Sequence, residues 1–194
     1  TSATVQTVLT LDTVESLPTG RSYQSYLQLV PGVKPGSNPS SKSGINSSVT
    51  GVVGSSSDNV YYIDGVNVTD PVTGTFGANL NNEIIQEQKV ITGGAPAEYE
   101  GGSGLISQVV TKSGSNEFHG SVNYYFQNDS LVQEDKHNES AGFSTYDTAV
   151  TLGGPILRDR LWFFGSYQRT HREDDVLNRT TGAVQRTVER DAEY

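Results

Sequence analysis

The chain has 194 residues, 34% of them hydrophobic, with 21 glycines and a net charge of -9 at pH 7; it is long enough for one domain, or one domain and part of another, and its glycine, Ser, Thr and Asn content points to all-β or α+β structure. The negative balance leaves no basic stripe to release counterions, which excludes a nucleic-acid binder, and the absence of Cys excludes a disulfide framework or a thiolate site. With no Met, and with Thr1-Ser2-Ala3-Thr4 unlike a signal peptide, the sequence reads as one that begins after processing or inside a longer protein.

No run reaches the roughly 18 to 20 apolar residues of a membrane helix, which leaves spanning by β-strands open. In chain order, Thr4 to Leu11 predicts a strand and Asp12 to Leu17 a single helical turn, ended by Pro18-Thr19-Gly20. A helix follows, capped by Ser22, with Tyr23, Tyr26, Leu27 and Val30 on one face and Pro31-Gly32 as its stop. An aromatic pair at this spacing beside Leu27 reads as core rather than as a sugar platform. From Lys34 to Asp58 the chain is dominated by Ser, Gly, Asn and Pro, so it predicts a linker or long loop around one short strand, Ser48 to Val53. Both a binding loop and a merely unstructured one fit Lys34 to Gly44.

The stretch from Asn59 to Gly114 is the densest in signals. Val60-Tyr61-Tyr62-Ile63 predicts a strand that turns at Asp64-Gly65 and resumes at Val66-Asn67-Val68. Glu83 to Ile85 and Lys89 to Thr92 are two further strand candidates. A glycine-laden run from Gly93 to Gly104 separates them from a last one, Leu105 to Lys112.

Beyond Gly114 the pattern changes to strict alternation. In Phe118 to Gln127 one face carries Phe118, Gly120, Val122, Tyr124 and Phe126, and the other His119, Ser121, Asn123, Tyr125 and Gln127. About ten residues is the length a tilted strand needs to cross a bilayer. Phe143 to Leu152 alternates likewise, with Asp147, Ala149 and Thr151 on the polar side. Gly153 to Arg160 predicts a short turn, and Leu161 to Arg169 a third strand with Leu161, Phe163, Gly165 and Tyr167 outward. Trp162 beside a turn suits a membrane-interface girdle. The segments 128–142 and 170–194 read as long loops. Alternation alone also fits a β-sandwich, and three strands cannot close; as a barrel, the chain is a piece of a larger one.

No catalytic or metal constellation emerges. His119, His137 and His171 share no ligand spacing, and Gly101-Gly102-Ser103-Gly104-Leu105 lacks the last glycine of a nucleophile elbow. Asp64, Asn67 and Asp70 match no calcium loop, so Asp64-Gly65 reads as a turn and no cofactor is expected, with Ca2+ near Asp70 as the one alternative.

The order of Leu17-Pro18, Pro31-Gly32-Val33, Tyr62-Ile63-Asp64-Gly65-Val66, Glu83-Ile84-Ile85-Gln86, Val90 to Tyr99 and Gly102 to Gly114 resembles the plug domain of TonB-dependent outer-membrane transporters. Gly153-Gly154-Pro155-Ile156 followed by Leu161-Trp162-Phe163-Phe164 is similar to the Oar-like branch. The resemblance implies an α+β plug over residues 1–115 and, over 116–194, the first antiparallel strands of a transmembrane β-barrel of about 22 strands. It further implies that loops 128–142 and 170–194 are extracellular, in the outer membrane of a Gram-negative bacterium. Energy-coupled transport then follows, with a TonB-type transducer pulling on a segment upstream, since Val5-Gln6-Thr7-Val8 is a weak coupling box. Glu100-Gly101 also departs from the family, which has Gly directly after Tyr.

By position, the family's substrate-facing plug loops fall at Pro35 to Ser48, including Asn38, Ser41 and Lys42, and at Asn67 to Leu80, including Asn67, Thr69, Asp70, Thr73, Phe76 and Asn79. Such groups suit a peptide or protein, a glycan or a chelate, and they equally suit a mere seal of the lumen. His119, Asn123, Tyr125, Gln127 and Asp147 are the lumen-facing candidates, with lipid against the opposite face. Two other readings stay open: a secreted or surface β-rich adhesion or structural protein, and an Oar-like exporter of proteins or peptides.

Overall fold

The computed structural model describes residues 4–10, 13, 14, 16, 17, 23–39, 47–50, 58–72, 74, 76–78, 80–99, 104–131, 142–178 and 184–193. The chain divides into two units, Thr1–Lys112 and Ser113–Tyr194. Its strands are β1 (Val5–Thr10), β2 (Lys34–Pro39), β3 (Ser47–Thr50), β4 (Val60–Ile63), β5 (Val66–Asn67), β6 (Ile85–Gly93) and β7 (Ile106–Thr111) in the first unit. In the second they are β8 (His119–Asn128), β9 (Phe143–Leu157), β10 (Leu161–Leu177) and β11 (Val184–Glu193). Among the described residues no helix is long and apolar enough to cross a membrane.

The first unit is built on a sheet of order β1-β6-β7-β4-β5, antiparallel except where β4 runs parallel to β7. The helix Tyr23–Leu27 packs its apolar face into the core: Tyr23, Tyr26, Leu27 and Val30 are each at most 2% exposed. Leu9, Tyr61, Ile85, Val90, Leu105 and Val109 come from the sheet to meet them. Val60, Ile91 and Ile106 form a second apolar cluster with Tyr62 and Tyr99. Period-two alternation along β6 separates Val90 from Ile91, so both faces of the sheet are buried at its centre.

Three polar contacts tie this core together. Asn59 donates to the Tyr61 hydroxyl (3.0 Å) while its Oδ1 accepts from the Leu105 amide (3.1 Å). A Cβ at Gly104 would collide with that same Oδ1, which explains why glycine stands there. Tyr23 OH donates to Ser107 Oγ at 2.5 Å.

Several boundaries differ from the sequence expectations. Lys34 to Asp58 is not one loop: β2 and β3 pair antiparallel, Lys34 opposite Thr50 and Pro39 opposite Ser47. Pro35 and Pro39 argued for a loop because they donate no backbone hydrogen bond, yet a two-stranded ribbon leaves one edge of each strand unpaired and tolerates them. Glu83 to Ile85 and Lys89 to Thr92 are not separate strands. A 3-10 turn, Asn82–Ile84, is capped by Asn81 Oδ1 accepting from the Glu83 amide (2.9 Å) and leads into the continuous β6. The polar Glu87 and Gln88 hid that continuity, although both are held between β1 and β7.

The second unit is an antiparallel sheet of order β11-β10-β9-β8. Its division from the first unit falls three residues before the expected start at residue 116. Gly114 lies so close to the Phe163 carbonyl and Trp162 that no side chain fits, and this packing ties Gly114 to β10. The segment 170–194 is not a long loop: β10 continues to Leu177 and β11 pairs back along it, Arg169 opposite Glu193 and Leu177 opposite Val184. Its dense charges masked the alternation, and they are paired both along β10 and across to β11. Arg172 Nε lies 2.8 Å from Asp174 Oδ2, and His171 Nδ1 lies 2.6 Å from Asp191 Oδ1.

Gly153-Gly154-Pro155 is likewise strand and not turn; the chain reverses at 158–160, where Asp159 takes φ 61. Gly154 stands opposite Phe163 in register and beneath the Phe118 ring, and Gly153 stands opposite Phe164 and beneath the His119 ring. The Phe118–Phe163 centroids are 6.4 Å apart on one face and the His119–Phe164 centroids 6.2 Å apart on the other. Each glycine thus vacates the volume that two rings fill, a ring-over-glycine device that preserves sheet pairing.

Candidate functional site

The loop after β5 is built as a closed turn. Val68 N donates to Tyr61 O (2.8 Å), Gly77 N to Val68 O (3.1 Å) and Gly74 N to Asp70 O (2.8 Å), while Thr69 bridges Phe76. Side chains reinforce it: Asn67 Oδ1 accepts from Thr69 N (2.9 Å), Asp70 Oδ1 from Val72 N (2.8 Å) and Thr69 Oγ1 from Tyr61 N (3.0 Å). A Cβ at Gly77 would stand 2.9 Å from Val68 O, so the two limbs of the loop can close only over glycine.

Phe76 corrects the sequence expectation. Instead of facing a substrate it is 4% exposed, stacked on Tyr23 at 4.4 Å and edge-on to Tyr61 at 5.4 Å. An aromatic residue in a polar loop looks like a ligand contact, but the polar groups around it are bonded to backbone amides, and the ring is the loop's anchor. Val72, at the tip, is 89% exposed. Asn67 is exposed and Asp70 half-buried. Asn38 lies in β2; Ser41, Lys42, Thr73 and Asn79 lie outside the described residues.

The calcium alternative involved Asp64, Asn67 and Asp70. Asp64 spends both carboxylate oxygens on Thr111, accepting from its amide at 2.9 Å and its hydroxyl at 2.6 Å. Asn67 and Asp70 face their own turns, as above. Among the described residues no group of three or more His, Asp or Glu side chains is placed to hold a metal ion.

In the second unit, the cross-strand register sorts the remaining candidates onto one face. His119, Asn123, Tyr125 and Gln127 stand opposite Gly153, Ala149, Asp147 and Thr145 of β9. Asp147 is 2% exposed, and its Oδ2 accepts from Gln168 Nε2 (2.8 Å) and Thr170 Oγ1 (2.9 Å). Ser121 and Thr151 hydroxyls meet at 2.8 Å on the same face. His119 is set apart from this cluster by its ring contact with Phe164 and by Ser115 and Glu117 at its Nδ1. Gln168, Thr170, Ser121 and Thr151 were missing from the sequence candidates. Continued alternation past Arg169 was the signal for Thr170, obscured by the charges after it. The other face presents Val122, Tyr124, Phe126, Tyr146, Val150, Leu152 and Tyr167, all exposed and nearly all apolar.

Burial also makes two phenols of the first unit, Tyr23 and Tyr61, weaker acids. Desolvation pushes Tyr61 from 10.0 up to about 12, against the opposing hydrogen bond from Asn59, and raises Tyr23 further. Because the folded-state values lie above the unfolded one, their contribution to stability is complete below pH 10 and is lost as pH rises through 12. Alkaline titration followed by tyrosinate absorbance should therefore show Tyr23 and Tyr61 ionising with loss of the first unit's amide protection. Ionisation of all tyrosines near pH 10 with protection intact would contradict this packing.

Residues 1–104 match the TonB-dependent Receptor Plug Domain, and residues 110–191 match an outer membrane beta barrel domain family. The TonB-dependent transporter Oar of Myxococcus xanthus is 35% identical over 156 residues, 76% of this chain and 14% of Oar. The probable TonB-dependent siderophore receptor PirA of Acinetobacter baumannii is 25% identical over 192 residues, 91% of this chain and 24% of PirA. The chain thus spans well under a third of the length of these relatives. In fold it is similar to the outer membrane transporter YddB from Escherichia coli, with TM-score 0.74, 18% identity, 97% of this chain and 29% of that one. A mutant ferric enterobactin receptor, PfeA, from Pseudomonas aeruginosa gives TM-score 0.61 at 17% identity, covering 88% of this chain and 24% of that one.

Proposed function

Because the chain belongs to the TonB-dependent outer-membrane transporters, we propose that the whole protein moves a substrate across the outer membrane by energy coupling, with the first unit gating the lumen of the barrel that the second unit begins. The outer membrane of a Gram-negative bacterium is its location. The observation that carries the reading is the division of the β8–β11 sheet into an apolar, exposed face and a face where Asp147 bonds to Gln168 and Thr170, and Ser121 to Thr151. Such a sheet suits lipid on one side and a polar lumen on the other. Four strands in open order leave β8 and β11 as edges, which lipid does not tolerate, so this sheet needs further strands.

The first unit, with an apolar core of its own, is the gate, and a TonB-type transducer of the inner membrane loosens it by pulling from the β1 side. Substrate meets the gate at the exposed loop tip Pro71-Val72. The gating claim is open to a test that needs no known substrate. Cells producing the whole transporter without residues 1–112 should become sensitive to a large polar antibiotic such as vancomycin, whereas cells with the intact protein stay resistant. Equal resistance, with the truncated protein shown to be assembled in the outer membrane, would defeat the proposal.

A further inference from the structure

We propose that Asn116 clamps the segment joining the two units onto the β9–β10 turn, so that loosening of the first unit stops between Thr111 and Gly114 and does not spread into β8. The inference rests on the gating function just proposed, because only a gate that loosens beside a wall that must stay intact needs such a stop.

The clamp is made by one side chain. Asn116 Nδ2 donates to Asp159 Oδ1 at 2.6 Å, and its Oδ1 accepts from the Asp159 amide at 2.9 Å and from Trp162 Nε1 at 2.7 Å. Both ends of the amide are thereby used, and the three bonds join the linker to two positions of the turn region. The turn residue it holds is a non-glycine with φ 61, a conformation that persists when its surroundings over-determine it. On one side of Asn116, Gly114 lies flat on the backbone of Phe163, where any side chain would collide. On the other, Ser115 Oγ donates to Glu117 O (3.0 Å) and accepts from Glu117 N (3.3 Å), closing a local turn before β8.

The first unit grips its own end in the same manner. Asp64, in the tight turn after β4 and also at positive φ (48°), holds the Thr111 amide and hydroxyl, and Lys112 N donates to Ile84 O at 2.7 Å. Residues up to Lys112 are thus secured within the first unit and residues from Gly114 onward within the second. What lies between is Ser113. Two grips on either side of a single residue in sequence concentrate any relative displacement there, and the hydrogen bonds of Asn116 must break before tension from the first unit reaches His119, where β8 begins.

Amide hydrogen exchange on the whole transporter in lipid nanodiscs, at increasing sub-denaturing urea, tests this without transport or substrate. In the natural protein the amides of Val90, Ile91 and Leu105 should lose protection first, with those of Glu117 and Asp159 unchanged at the same urea. In Asn116→Ala the Asp159 amide should exchange about tenfold faster in the absence of urea, as loss of its side-chain acceptor allows. The Glu117 amide should then follow the first unit, while Asn123→Ala leaves the order as it was. Glu117 opening in step with Val90 in the natural protein overturns the proposal, as does an Asp159 amide indifferent to Asn116→Ala. The comparison within the natural protein stands even if the variant fails to assemble, and it is independent of the antibiotic assay for gating.

Discussion

Phe76→Ala is expected to destabilise the first unit by about 3–5 kcal/mol, the usual cost of emptying a buried aromatic site. Single domains have only about 5–15 kcal/mol in hand, so the variant should populate an open gate at rest. The ring touches both Tyr23 and Tyr61, at 4.4 and 5.4 Å, and the loop has no other buried aromatic anchor among the described residues. Its removal therefore creates a cavity between helix and sheet and frees the loop at once. Val72→Ala, at a position 89% exposed, should change stability by no more than about 0.5 kcal/mol. Urea midpoints of the Val90 and Leu105 amides measure both. If the two variants melt alike, the loop is not held by its aromatic residue and the corrected role of Phe76 fails.

A lysine at position 122 should obstruct assembly, whereas one at 123 should be mild. Val122 is 76% exposed on the apolar face near the middle of β8, where a charged amine facing hydrocarbon costs roughly 2–4 kcal/mol. Asn123 is half-buried on the polar face, opposite Ala149, where water and polar neighbours can satisfy a charge. The amount of heat-modifiable, folded protein in isolated outer membranes separates them. Equal yields of Val122→Lys and Asn123→Lys would reverse or abolish the assignment of faces.

Where one physical rule governed a segment, the sequence was sufficient. Helical spacing put Tyr23, Tyr26, Leu27 and Val30 in the core, and period-two alternation sorted β8 and the first ten residues of β9 into their faces. Elsewhere tertiary partners overruled local composition. Pro35 and Pro39 read as loop until β3 supplied a partner. The charges from Arg172 to Asp175 read as solvent-facing loop until β11 brought Asp191, Arg190 and Thr187 alongside. In the candidate site, the backbone bonds of Asp70 are local and consistent with its turn. The fate of Phe76 depended on a helix some fifty positions earlier, which no local pattern reports.

The ring-filled glycine pair carries one more implication. A β-strand can slide along its neighbour by whole residues, and each single-residue slip turns every side chain to the wrong side. Should β8 slip against β9, Phe118 would come down on Leu152 or Ile156, and no hollow would receive it; should β10 slip, Phe163 and Phe164 would meet the same obstruction. Gly153-Gly154 therefore acts as a keyway cut into the middle strand, and the rings of Phe118, His119, Phe163 and Phe164 are keys inserted from both neighbours and both faces. Three strands are indexed at a single notch, so the alignment on which the wall's later strands are laid is set within β9, ahead of its first short turn.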